Sequence, residues 1–218
     1  MNWKIMKLVP FIDTRAYFLS KVCKNGKILD IGTSDGKTLM HFVELRKDLK
    51  ITAMDIIEPN ENVQRVAHYI KCDASKDKFQ IENNSLDAIT CMQLVEHINT
   101  IDNLLSESFR VLRPGGIMYI ETPHPKTIIL NSPKSQMLGK FTINFYDDPT
   151  HIRPISLGVL ACTAKKYSFK IYMSGISRNI FIASLWPIYL FLPPSFKKYT
   201  SYVHFKGWSN FLIVQKDV

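Results

Sequence analysis

With 218 residues, 46% hydrophobic and 22% charged, the chain is long enough for one well-buried core and short for two, and this composition excludes wholesale disorder. No apolar run reaches the length of a membrane-spanning helix, and the opening MNWKIMKLVPFIDTR is too broken for a secretory signal, so a cytoplasmic protein is expected. The net charge of +9 favours anionic partners, although the excess is spread thinly along the chain, as in a merely solvated surface.

The elements are expected in one domain, 1–218. Residues 1–25 read as an N-terminal helical cap. KILDI (27–31) is a short apolar run ending in an acid and then a glycine, as a buried parallel strand does. Residues 37–47 carry Leu39, Phe42 and Val43 at helical spacing. ITAMD (51–55), HYIKCD (68–73) and LDAITCM (86–92) read as the second, third and fourth strands. A helix capped by Asn99 or Thr100 follows, with Ile101, Leu104, Leu105, Phe109 and Leu112 on one face and Arg113-Pro114-Gly115-Gly116 as its stop. GIMYIET (116–122) is the fifth strand. Strand and helix signals thus alternate through 27–122, which implies a mostly parallel sheet with helices on both faces.

Residues 123–155 differ. Pro123, Pro125, Pro133 and Pro149 punctuate a connection far longer than usual, and such loops in compact domains serve as lids or binding segments. In the region 156–218, Ser156 caps a helix bearing Leu157, Leu160, Ala161 and Ala164, and 167–175 and 208–216 are two last strands. Between them lies the apolar, proline-broken insert 180–194, without the caps of a soluble surface helix. Cys23, Cys72, Cys91 and Cys162 form no CxxC pair, which argues against a disulfide framework and a zinc site; no metal is expected.

The first turn reads Asp30-Ile31-Gly32-Thr33-Ser34-Asp35-Gly36. Glycine is needed where a chain leaves a strand sharply and where a ligand lies against bare backbone. The spacing is neither GxGxxG nor followed by a Walker lysine, so the turn suits a ligand without phosphate, and a dehydrogenase is disfavoured. Asp55 lies roughly 20 residues beyond the turn, where a carboxylate can accept from ribose hydroxyls. Asp30, Asp55, Asp73 and Gln93 all fall at the carboxyl edge of the sheet, the ligand edge of open α/β folds. A helix cap is the plainer reading of Asp73 alone.

The segments KILDIGTSDGKTL, ITAMDI, LDAITCMQLVEHI and SFRVLRPGGIMYIETP, in that order, resemble the class I S-adenosylmethionine-dependent methyltransferases, particularly those modifying small molecules, lipids and sugars. The resemblance implies a Rossmann-like seven-stranded fold with 27–122 as cofactor-binding core. It implies that Asp30 and the turn Gly32, Thr33, Ser34 and Gly36 hold the methionine end. Asp55 would take the ribose diol, Ile56 the adenine face, Asp73 and Ala74 the adenine edge, and Gln93 would close the methionine side. His97, one turn beyond Gln93, reads equally as a packed helix residue. Ser34 departs from the family's middle glycine; serine can occupy that place if its backbone angles are ordinary, and weaker or shifted cofactor binding rather than none is expected.

On the acceptor side, an oxygen nucleophile benefits from a nearby base, and histidine suits neutral pH. Of six histidines, His151, in the run Asp147-Asp148-Pro149-Thr150-His151-Ile152-Arg153, is the candidate catalytic residue. The plainer reading is that Asp148 and His151 only anchor the lid. His124 and Arg153 are candidate substrate residues. Arg153, Lys126, Lys134 and Lys140 put positive charge around the lid, which suits a phosphate-bearing small-molecule or glycan acceptor. The insert 180–194 is expected to roof the pocket or meet a second subunit, with peripheral membrane contact ranked below. The expected activity is O-methylation of a sugar, glycan or lipid-linked glycan hydroxyl. The alternatives are a non-catalytic cofactor-binding protein of the same fold and a nucleic-acid methyltransferase. The second is disfavoured because MQLVEH lacks the Asn/Asp-Pro-Pro-Tyr/Trp pattern and no RNA-binding module is appended. Oligomeric state is left open.

Overall fold

The computed structural model describes residues 9–132, 143–193 and 195–217, so the expectations for Lys134, Lys140 and the first eight residues lie outside it. Seven strands form one sheet: β1 (Lys27–Ile31), β2 (Lys50–Asp55), β3 (His68–Lys71), β4 (Leu86–Met92), β5 (Leu112–Pro123), β6 (Phe169–Ser177) and β7 (Ser209–Lys216). Their order is β3-β2-β1-β4-β5-β7-β6. Neighbours among β1 to β5 run parallel, while β7 lies antiparallel between β5 and β6. Strand order reverses between β1 and β4, where Ile28 pairs with Ala88 and Ile31 with Cys91. The crevice for a ligand therefore opens above the carboxyl ends of β1, β2 and β4.

The alternation of side chains along the strands divides the core in two. Leu29, Ile31, Ile89, Cys91, Met118 and Ile120 face one side and pack under α4 (Asp102–Val111) and α5 (Leu157–Lys166). Ile28, Ala88, Ile117, Tyr119, Phe211 and Ile213 face the other and pack under α1 (Thr14–Lys21) and α2 (Lys37–Leu45). Asp30 and Thr90 share the second face, because they sit two residues on from Ile28 and Ala88. Asp13 caps α1 and Ser156 caps α5 through their side-chain oxygens.

Several boundaries differ from expectation. α4 ends at Val111, and the Arg113–Gly116 run belongs to β5, where the register with β4 shifts between Leu86 and Ala88. Thr100 does bond the Asp102 N–H at 3.2 Å, but Ile101 is the boundary residue of α4. β3 stops at Lys71. Among the helices not anticipated are α3 (Glu61–Val66) and α8 (Phe196–Lys206); each buries a single residue, Val63 and Ser201, so neither carries an apolar stripe. The insert 180–194 does have a cap. Asn179 accepts from the Ile182 N–H at 2.9 Å and starts α6 (Ile180–Ser184), which Leu185 joins to α7 (Trp186–Tyr189). Among the described residues no helix is long and apolar enough to cross a membrane.

Candidate cofactor and acceptor site

The turn after β1 is built on three left-handed residues. Gly32 has φ +77°, and a Cβ there would lie 3.2 Å from Leu94. Gly36 has φ +75° and precedes α2; a Cβ would lie 2.8 Å from Val63. Ser34 between them has φ 51°. Ordinary angles were the condition for a serine at this place, and the condition is not met: the serine adopts the glycine conformation, which costs a side-chain-bearing residue about 1–2 kcal/mol. The opposing gain is a hydrogen bond to a charged partner, since the Ser34 N–H donates to Asp55 Oδ2 at 2.7 Å. Asp55 Oδ1 accepts the Ile56 N–H at 2.7 Å. The β1 and β2 tips are thus locked to each other, with the Ile56 side chain 57% exposed at the rim.

Asp30 is buried, and both its oxygens are engaged. Thr90 donates to Oδ1 at 2.6 Å and Thr33 to Oδ2 at 3.0 Å, while burial raises its pKa to about 6. Asp73 accepts from the Ser75 N–H and hydroxyl and pairs with Lys76 at 3.1 Å, so in this structure it organises its own loop. Ala74 is buried and its carbonyl accepts from Asn103.

Gln93, at φ 52°, turns the chain out of β4. Its Nε2 donates to Glu121 Oε1 and Ser209 Oγ, both at 3.1 Å. Glu121, 1% exposed, is the hub of this edge. Arg15 grips it with Nε at 3.0 Å and a second nitrogen at 2.5 Å, Tyr119 donates at 2.6 Å and Ser177 at 2.7 Å. These donors and the Arg15 charge outweigh burial and hold the carboxyl down at about 2. Nothing in the sequence reading singled out Arg15 or Glu121.

The opposite face of the β5 end carries a second cluster. Glu96 is fully buried; Oε2 accepts from Thr122 at 3.0 Å and Oε1 has no hydrogen-bond partner among the described residues. Burial, the dominant cause, raises its pKa to about 8, so the group is mostly protonated at neutral pH. The donor atoms of Glu96, His97 and His151 lie within 4.8 Å of one another, close enough to ligate one ion. Only the two histidines were considered from the sequence, because an acid inside MQLVEH carries no mark of its burial. The His151 side chain is 4% exposed, packs on Phe145 and His97, and has Nδ1 2.5 Å from the Phe145 carbonyl. A carbonyl only accepts, so Nδ1 carries the proton and Nε2 is the basic nitrogen of the neutral ring. His124 has the opposite tautomer, since its Nδ1 accepts the Lys126 N–H at 2.9 Å. Arg153 is exposed and donates to the Asn99 carbonyl at 2.9 Å.

A cavity of about 600 Å³ opens between α1, the end of β6 and α6 to α8. Arg15 and Ser177 line it, so the Glu121 hub connects its wall to Gln93.

A methyltransferase domain family model matches residues 6–172. The chain belongs to this family. The ubiquinone biosynthesis O-methyltransferase of Pelagibacter ubique is 32% identical over 113 residues, covering 47% of this chain and 44% of that protein. The protein of the same name from Pseudomonas aeruginosa is 25% identical over 167 residues, 69% of this chain and 66% of its own. The chain therefore spans about half to two thirds of the length of these relatives. An S-adenosylmethionine-dependent methyltransferase of Archaeoglobus fulgidus shares the fold, with a TM-score of 0.61 at 17% identity over 98% of this chain and 94% of that one. The sheet is thus the seven-stranded, mostly parallel class I methyltransferase sheet, and S-adenosylmethionine is the cofactor of the methyltransferases with this fold.

The residues of this methyltransferase fit that cofactor. Cβ atoms at Gly32 or Gly36 would intrude on the turn, and the half-exposed Asp55 carboxylate at the β2 tip is an acceptor of the kind a diol needs.

Proposed function

We propose that this methyltransferase O-methylates a small molecule. When bound, S-adenosylmethionine supplies an electrophilic methyl group on a sulfonium. In this reading the turn from Gly32 through Thr33 and Ser34 to Gly36 cradles the methionine portion, with Asp30 bracing it from below. Asp55 binds the ribose diol, Ile56 covers the adenine, Asp73 and Ala74 border it, and Gln93 closes the far side. The acceptor oxygen lies over the tips of β4 and β5, and its proton passes to His151, with His124 and Arg153 on the acceptor side.

The observation that carries the oxygen chemistry is the tautomer of His151. With Nδ1–H held by the Phe145 carbonyl, Nε2 has the lone pair a general base requires. The names of the curated relatives support an oxygen acceptor. A sugar or glycan hydroxyl stays within this proposal.

Two variants test it. Asp55→Ala should weaken binding of S-adenosylhomocysteine more than tenfold by titration calorimetry without unfolding the protein. His151→Ala should lower turnover of an accepted substrate by roughly 10²–10⁴-fold at nearly unchanged cofactor affinity. Wild-type affinity in the first, or wild-type turnover and pH profile in the second, removes that residue from the assignment.

A further inference from the structure

The cavity beside α1 has two unlike walls. Phe181, Ile182, Leu185, Tyr189 and Phe196 make one side apolar. Phe181 and Phe196 are still 54% and 68% exposed, so this surface lacks a full cover among the described residues. The other side is cationic. Arg15 contributes no free charge, being bound to Glu121, whereas Asp13, held by the Arg15 and Ala16 N–H groups and Asn179 Nδ2, keeps one negative charge. Arg178 and Lys197 remain. Neither makes an ion pair or a side-chain hydrogen bond among the described residues. Arg178 is half-buried, lying against Gly207 at the end of α8. A guanidinium held partly out of water without a partner leaves five donors for a ligand.

His204 adds one more donor. Its Nδ1 accepts the Asn179 N–H at 3.0 Å, so the neutral ring carries its proton on Nε2. Burial, the largest cause, and the nearby Arg15 charge hold its pKa below the ordinary histidine value. The ring lines the cavity as a hydrogen-bond donor and cannot serve there as a base.

We infer that this cavity holds the body of the acceptor of the proposed reaction, apart from the oxygen that reaches the β4 and β5 tips, and that the acceptor is an amphiphile: an apolar body carrying an oxyanion, carboxylate or phosphate, which Arg178 and Lys197 bind. The inference rests on the methyltransferase reading and deepens it by naming the substrate class. A volume of about 600 Å³ is within the range of small-molecule sites. The link through Arg15, Glu121 and Gln93 puts the cavity wall beside the cofactor edge. An uncharged sugar would leave the five-residue apolar wall wet and the guanidinium unpaired, which disfavours it here.

Titration calorimetry on the full chain tests this with three probes below their micelle concentrations: octanoate, octyl phosphate and octanol. S-Adenosylhomocysteine is titrated in parallel. At least one anion should bind ten times more tightly than octanol or better, and whichever anion is preferred names the head group. Arg178→Gln should weaken the anions at least tenfold and leave octanol unchanged, whereas Phe181→Ser should weaken all three. Lys197→Gln, on the exposed start of α8, serves if Arg178→Gln does not fold. Equal affinity for the three probes, or anion binding indifferent to both charge variants, overturns the inference. So does Arg178-dependent binding of phosphatidylglycerol vesicles with no soluble amphiphile bound, because the occupant is then a membrane. Loss of S-adenosylhomocysteine binding with the probes still bound would instead defeat the methyltransferase reading and leave the cavity's ligand class standing.

Discussion

Ser34 holds a glycine's backbone angles, φ 51°, between two glycines that hold them too. Ser34→Gly should therefore stabilise the protein by about 1 kcal/mol once glycine's extra freedom in the unfolded chain is deducted. That corresponds to a Tm rise of about 2–4 °C for a chain of this size, with S-adenosylhomocysteine binding no weaker. A fall in Tm would show that the serine is not strained. The turn's location was legible from glycine spacing, but serine gives no sign of its own φ, which the Asp55 bond enforces from another strand. Glu96 was illegible for a related reason, since burial is a property of the packed structure. Its carboxyl titrates near 8 in the fold and near the ordinary glutamate value when unfolded. The folded pKa is raised, so its contribution to stability is fully present below the unfolded value and is lost as pH rises through about 8. Between about pH 5 and pH 9, Glu96→Gln should flatten the decline in Tm relative to wild type. An unchanged slope would place Glu96 in a more solvated setting.

The strands were the legible elements, because short apolar runs ending at an acid or a turn describe buried parallel strands well. KILDI and LDAITCM match β1 and β4 residue for residue. The helices after β6 were not legible. In α8 the only buried residue is Ser201, and the helix is held by its neighbours: Ser201 Oγ bonds the Ile182 carbonyl at 2.9 Å, and Trp186 packs on Tyr202. A helix stabilised by contact with a proline-broken insert leaves no periodicity to find. Its end is set by Gly207 at φ +66°, where a Cβ would fall 2.6 Å from Ile176 and 2.7 Å from Arg178. Gly207→Ala should destabilise the protein by more than about 1 kcal/mol and disturb the position of Arg178. Thermal melts check the first effect, and anion titration of the cavity checks the second. An alanine variant with wild-type Tm would mean the end of α8 relaxes freely.

Across the whole molecule, one charged contact ties the N-terminal helix to the carboxyl edge of the sheet on the face that α1 covers. Arg15 belongs to the N-terminal helix and Glu121 to β5; through Glu121 the contact reaches β6 at Ser177 and the cofactor edge at Gln93. A second tie runs parallel to it, from Asp13 Oδ2 to Asn179 Nδ2 at 2.9 Å, joining α1 to the start of α6. Glu121 is 1% exposed on its side chain and Arg15 32%, so the carboxylate has lost its water while the guanidinium keeps part of its own. Removing the cation is the damaging change, because it leaves a buried charge with only neutral donors. Arg15→Met should cost about 3 kcal/mol, the low end for breaking a buried pair because Arg15 is partly screened by solvent. In a chain of this size that is a fall in Tm of about 6–12 °C. Glu121→Gln should also destabilise, but the double variant should be less damaged than the sum of the singles by about 1–3 kcal/mol, since each change removes the other's partner. Strict additivity in denaturant unfolding would mean that the two side chains do not interact across this edge. In that case Gln93 and the cavity wall would have to be held by Ser209 and Ser177 alone.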